Sequence, residues 1–180
     1  MRQKYYYFVS SLPSLEFGAP PPFPLEKFLE ECQRQMSPKD AEWIQNAVLG
    51  KSPSKALKNP LVRLWIRFNE DFRNELAFAR ALKAKRDPLS YLQGERSYEP
   101  FLANVVAQAI GTDDPLAAEK ILDRFRWQRL DDLTFDHYFD VEWLLIYALK
   151  LQILERYQMI ESHRGEGLLA EYKEFEMPVF

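Results

Sequence analysis

The chain has 180 residues, of which 47% are hydrophobic and 28% charged, with a net charge of −3. That balance excludes a disordered chain, allows a real core in a single domain, and lacks the clustered basic footprint of a nucleic-acid binder. Six glycines are too few for a Gly-rich phosphate cradle, and the single cysteine, Cys32, cannot form an internal disulfide, which suits a reducing compartment.

Charge is uneven along the chain. Residues 1–110 carry 16 basic and 12 acidic side chains, whereas residues 111–180 carry 8 and 15. Two readings fit: an ordinary solvated surface, or an acidic half that meets a basic partner through charge complementarity. Aromatic residues, at 14%, point to bulky helix-on-helix contacts and leave room for an aromatic-rich docking surface. The first apolar block is short, carries hydroxyls and runs into Pro13, so no secretory signal is expected. The longest apolar stretch, Val141 to Leu154, is interrupted by Glu142, Lys150 and Gln152 and is too short to span a bilayer. A soluble, cytoplasmic protein is expected.

The opening run Lys4-Tyr5-Tyr6-Tyr7-Phe8-Val9-Ser10-Ser11-Leu12-Pro13 reads as extended. Four aromatics followed by Val9 offer no evident helical face, and such residues suit a pleated surface. The only other extended-looking apolar piece is Phe175 to Phe180, so the two ends are expected to pair.

Beyond that opening the sequence reads as helix. Ser37-Pro38, Asn59-Pro60, Asp87-Pro88 and Asp114-Pro115 each set a capping side chain before a proline at the first helical position, where a missing N–H is harmless. Pro24 is a further start of that kind. The resulting grid predicts helices over Pro24–Gln35, Pro38–Leu49 and Pro60 to about Lys85, then a short one over Pro88–Gln93. Three more follow, over Tyr98–Ile110, Pro115 to about Leu130, and one capped by Thr134 that reaches about His163. In that last helix Tyr138, Val141, Leu144, Leu145, Ala148, Leu151 and Leu154 nearly encircle the axis, which places it at the centre of a bundle. The prediction is an all-α bundle of six to seven helices with a short extended N-terminal segment, one domain over 1–180, with a subdivision near 87–95 as the alternative.

Few residues suggest chemistry. Asp136, His137 and Asp140 fall within one helical turn and could ligate a divalent metal or supply a base. There is no second histidine nearby and no His-Glu-x-x-His pattern, and aspartates in a first turn are favoured by the helix dipole alone, so a structural role is the expectation. His163 reads as a cation near a helix end. Cys32 lies on an apolar stripe and reads as a small buried hydrophobe. Ser10 and Ser11 have no assignable base. No phosphate-cradling motif is present, and no cofactor, metal or catalytic residue is assigned.

Two surface features suit a partner. Arg80, Lys83, Lys85 and Arg86 gather at the end of the long third helix, following Arg63 and Arg67. They are either a solvated face set well against the helix dipole or a site for an acidic helix or anionic headgroups. Trp127, near Arg124, Arg126 and Arg129, falls off its helix's apolar stripe. It is either an exposed interface residue or one folded back onto a neighbour.

The opening Tyr-Tyr-Tyr-Phe-Val-Ser-Ser-Leu-Pro also resembles the start of an uncharacterised bacterial family encoded in V-type ATPase operons. That family looks like a shortened relative of the helical central-stalk subunit that links the shaft of the machine to its membrane rotor. The resemblance implies a non-catalytic subunit or accessory protein, linked to the stalk or rotor and peripheral to the inner membrane at most. It transfers no functional residue. The alternatives are a free-standing helical interaction module and a metal-dependent enzyme around His137.

Overall fold

The computed structural model describes residues 4–49 and 59–161. Among them are seven α-helices and one short 3-10 helix, with no strand. The helices are α1 (Tyr6–Ser11), α2 (Leu25–Gln35), α3 (Pro38–Val48), α4 (Pro60–Lys83), α5 (Pro100–Gly111), α6 (Pro115–Leu133) and α7 (Val141–Glu161); the 3-10 turn is Pro88–Tyr91. The all-α architecture is as the capping pattern predicts. No helix among the described residues is long and apolar enough to cross a membrane. The segment 175–180, its expected pairing with the N-terminus, His163 and the basic loop 51–58 lie outside the described residues.

All four cap-proline pairs form. The Ser37 hydroxyl accepts from Asp40 N–H at 3.2 Å, and the Asn59 amide oxygen from Leu61 N–H at 2.9 Å. Asp87 and Asp114 accept from Leu89 and Leu116 N–H at 3.1 and 2.9 Å. Pro24 differs: it stands just outside α2, whose first N–H, that of Leu25, donates to the Glu155 carboxylate of α7 at 2.6 Å.

Two expectations are corrected. The N-terminal run is a helix, not an extended arm or strand. Tyr5, Phe8 and Val9 are buried, at i, i+3 and i+4, while Tyr6 and Tyr7 are exposed. Four consecutive aromatics mask that helical face because tyrosine is tolerated on either side of it. Pro13 then ends the helix by holding Leu12 extended. The second correction concerns α7. It begins at Val141, capped by Asp140, whose Oδ1 accepts from Trp143 N–H at 3.1 Å. Thr134 instead donates its hydroxyl to Leu130 C=O at 2.9 Å and belongs to the end of α6.

The chain forms two compact units, one holding residues 4–49 and 130–161, the other 59–129. The stretch 87–95 belongs to the second unit. In the first unit α7 packs against α2 and α3. Leu144 through Leu149 are all buried, so α7 is covered on every side, as the central helix of a bundle must be. Its Tyr147 ring meets Phe28 at 5.2 Å, and Phe28 stacks on Phe8 at 5.8 Å, which ties α1 and α2 to it.

The second unit is built on Phe68 and Phe72 of α4, Leu102, Val106 and Ala109 of α5, and Leu122 and Phe125 of α6. Its loop 92–99 is pinned to α4 by buried polar groups. Asn74 donates to Gln93 C=O at 3.0 Å and accepts from Gln93 N–H at 2.9 Å. Arg96 makes a two-pronged pair with buried Glu75, both contacts 2.8 Å, and lies over the Phe78 ring at 3.7 Å and the Tyr98 ring at 5.3 Å.

Candidate functional site

The residues singled out for a partner all fall in the second unit, and the structure divides them. Arg80, Lys83, Lys85, Arg86 and Arg124 are exposed. Lys83 donates to Ile110 C=O at 2.7 Å, closing the end of α5, and Arg86 donates to the Tyr91 hydroxyl at 3.4 Å. Trp127 is buried, 7% exposed, so its reading as an exposed interface residue is overturned: α6 is covered on more than one side, and the ring lies inside. Arg126 is likewise drawn in. Its guanidinium lies 4.1 Å from the Phe72 ring centre and 2.8 Å from Asp123, and burial lowers its pKa to about 10.

In the first unit the turn of chain between α6 and α7 gathers the titratable groups. Asp140 Oδ2 lies 3.1 Å from His137 Nδ1 and accepts from Lys4 Nζ at 3.4 Å. Burial raises the Asp140 carboxyl, but the Trp143 N–H, His137 and Lys4 outweigh it and hold the group below the ordinary carboxylate range. His137, Asp140 and Glu142 place potential ligand atoms within 4.8 Å of one another, with both carboxylates buried. A divalent cation could be held there by one imidazole and two carboxylates. Against that, the Lys4 ammonium and the Trp143 N–H at the start of α7 already supply positive charge to the Asp140 carboxylate. Asp136 is exposed and stands apart from this set, at φ 67°.

Tyr5, just ahead of α1, is tied to two other segments. Its N–H donates to Phe139 C=O at 2.6 Å, and its hydroxyl donates to the Asp40 carboxylate. Burial first, and that hydrogen bond second, raise the Tyr5 pKa. Cys32 is the packing residue its stripe implies: it is buried, and burial pushes its thiol up to about 12.

The structure also brings together residues that the sequence alone does not link. Large rings of the first unit stand in solvent: on the α6–α7 connection Phe135 is 78% exposed and Tyr138 64%, and in α1 Tyr7 is 93% exposed and Tyr6 56%. The Tyr6 ring meets Phe139 at 4.9 Å, so the N-terminal run and the connection share one surface. In the same unit a pocket of about 340 Å³ opens between Val9, Leu12 and Leu15 of the N-terminal segment and Trp143, Ile146 and Lys150 of α7. Tyr147 closes its floor by donating to Pro13 C=O at 3.0 Å, and Lys150 pairs with Asp131. Tyr138 falls on the core spacing of α7, which hides its exposure; the Asp-His-Tyr-Phe-Asp sequence ahead of a helix start at Asp140 is the signal that could have found it.

Comparison with known proteins adds one match. Residues 100–174 match the family described as "Protein of unknown function (DUF2764)". The matched stretch contains α5, α6, the exposed connection and α7, and leaves out the N-terminal run. No curated protein and no solved structure matches the chain.

Proposed function

We propose that the protein is a non-catalytic docking component of, or accessory to, a bacterial V-type rotary ATPase, acting on the cytoplasmic side of the membrane through protein contacts. The observation that carries the docking part is the exposed aromatic surface of the first unit. Tyr6, Tyr7, Phe135 and Tyr138 are large rings left in water, and aromatic residues of this kind are enriched at the centres of protein interfaces. The ATPase part rests on the resemblance of the Tyr5-to-Pro13 run to proteins encoded in V-type ATPase operons. The two meet at one place, because the run that carries the resemblance supplies Tyr6, whose ring meets Phe139 of the connection.

The test is affinity purification of the tagged full-length protein from its native host. Stalk or rotor subunits of the ATPase should co-purify in near-stoichiometric amounts and be lost from a Phe135→Ser/Tyr138→Ser variant. Absence of every ATPase subunit from the purified wild-type complex defeats the reading.

A second reading, a metal-dependent activity around His137, is favoured by the cluster of His137, Asp140 and Glu142. Metal analysis of the purified protein separates it: a stoichiometric ion lost in His137→Ala would establish it, and a metal-free protein would remove it.

A further inference from the structure

We propose that the end of α4, with the 3-10 turn that packs on it, is a contact surface for an anionic lipid bilayer. Arg80, Lys83, Lys85 and Arg86 are exposed there. Lys83 donates to Ile110 C=O and Arg86 to the Tyr91 hydroxyl. Both acceptors are neutral, so each side chain keeps its positive charge. Among the described residues, Arg80 and Lys85 pair with no carboxylate. The one acid within residues 80–91, Asp87, accepts from Leu89 N–H and from the Ser90 hydroxyl.

The backbone holds these cations together. Lys85 N–H donates to Leu82 C=O at 3.0 Å and Arg86 N–H to Ala81 C=O at 2.9 Å. Those two bonds close a helix whose next residue turns left-handed, and glycine is the usual occupant of that position. Here the occupant is Lys85, at φ 55°, a conformation glycine adopts freely and lysine only at a cost. Glycine would serve the turn better, so the lysine is explained by its charge and not by the fold.

Apolar side chains stand among the cations. Leu82 is 55% exposed within the same turn. Leu89 is 70% exposed in the 3-10 turn, beside the half-exposed Tyr91 that meets Arg86. An acidic peptide would pair the cations and leave the leucines in water. A bilayer surface takes both: headgroup phosphates meet the ammonium and guanidinium groups, while leucine and tyrosine enter the boundary between headgroups and acyl chains.

The experiment is co-sedimentation of the full-length protein with vesicles of phosphatidylcholine, alone or mixed with phosphatidylglycerol. Wild type should bind the mixed vesicles and not the neutral ones. Each cation at an anionic surface is worth about fivefold in partitioning, so Arg80→Gln/Arg86→Gln should lose about 25-fold. Lys85→Gly should lose about fivefold while its Tm holds or rises, because the left-handed turn is relieved. Leu82→Ser/Leu89→Ser should lose about fivefold, and Lys27→Gln/Lys39→Gln, which removes two exposed cations from the first unit, should stay within about twofold of wild type. Circular dichroism checks that each variant is folded. No binding of wild type to the mixed vesicles overturns the inference, as does an equal loss in the first-unit control. Displacement of the protein from vesicles by a poly-glutamate peptide, with the leucine variant binding as wild type, would assign the surface to an acidic peptide and also overturn it. The ATPase reading draws on the first unit and is decided by its own purification test.

Discussion

Both units leave aromatic rings in water, Tyr98 and Phe101 at 66% and 61% in the second, but the most exposed rings, Tyr7 and Phe135 at 93% and 78%, belong to the first. In the second, Phe68, Phe72 and Phe125 lie within 6.3 Å of one another, and arginines cover the remaining faces: Arg126 over Phe72, Arg96 over Phe78. In the first, Phe8, Phe28 and Tyr147 make a similar chain, but Tyr6, Tyr7, Phe135 and Tyr138 are left outside. Folding explains the buried rings. It does not explain the exposed ones, which cost solubility and bury little. The difference separates residues that hold a unit together from residues available to something else.

That separation can be broken by measurement, and the largest effect belongs to the buried set. Phe72→Ala removes a ring with no solvent exposure and should cost about 3–5 kcal/mol, read as a drop in the denaturant midpoint. A cost under about 1 kcal/mol would mean that the ring cluster is not what holds the second unit. Arg96→Ala strands the buried Glu75 carboxylate and frees loop 92–99; about 3 kcal/mol is expected, with faster amide exchange at Gln93. Unchanged exchange there would show that Asn74 alone pins the loop.

Smaller effects are expected at the α6–α7 connection. Asp140→Ala removes the cap of α7 and should cost about 1–2 kcal/mol at neutral pH. Because the folded Asp140 carboxyl titrates below its unfolded value of about 3.9, its stabilisation is complete above that pH and is lost as pH falls through the folded pKa. The stability gap between wild type and Asp140→Asn should therefore close on going from about pH 6 to about pH 3. A gap that widens under acid would contradict the assigned pairing with Lys4 and His137. The smallest effect is predicted for the exposed rings: Phe135→Ser with Tyr138→Ser should change stability by less than about 0.5 kcal/mol. A loss above about 2 kcal/mol would place those rings in the folding core and erase the distinction.

Helix starts were legible because a capping side chain before proline is a local device: Ser37, Asn59, Asp87 and Asp114 act within three residues, and no tertiary information is needed. The central position of α7 was legible for a related reason, since apolar residues on all sides have one place to go. What the sequence hid depended on partners far along the chain. Asp140 rather than Thr134 caps α7, with Lys4, 136 residues away, meeting the same carboxylate. The Tyr6–Ser11 helix was concealed by tyrosines that serve equally inside and outside. The exposure of Trp127 could not be judged from one stripe, because α6 buries more than one face. The aromatic surface was missed for the same reason in reverse: Tyr138 falls on the spacing of α7 yet precedes its first turn.

The most direct test of the docking account is site-specific photo-crosslinking in the native host, with p-benzoylphenylalanine in place of Tyr138 and, as control, in place of Arg80. The account predicts a discrete crosslink from position 138 to a V-type ATPase subunit, identified by mass spectrometry and absent from position 80. No crosslink from position 138, or the same products from both positions, would contradict it.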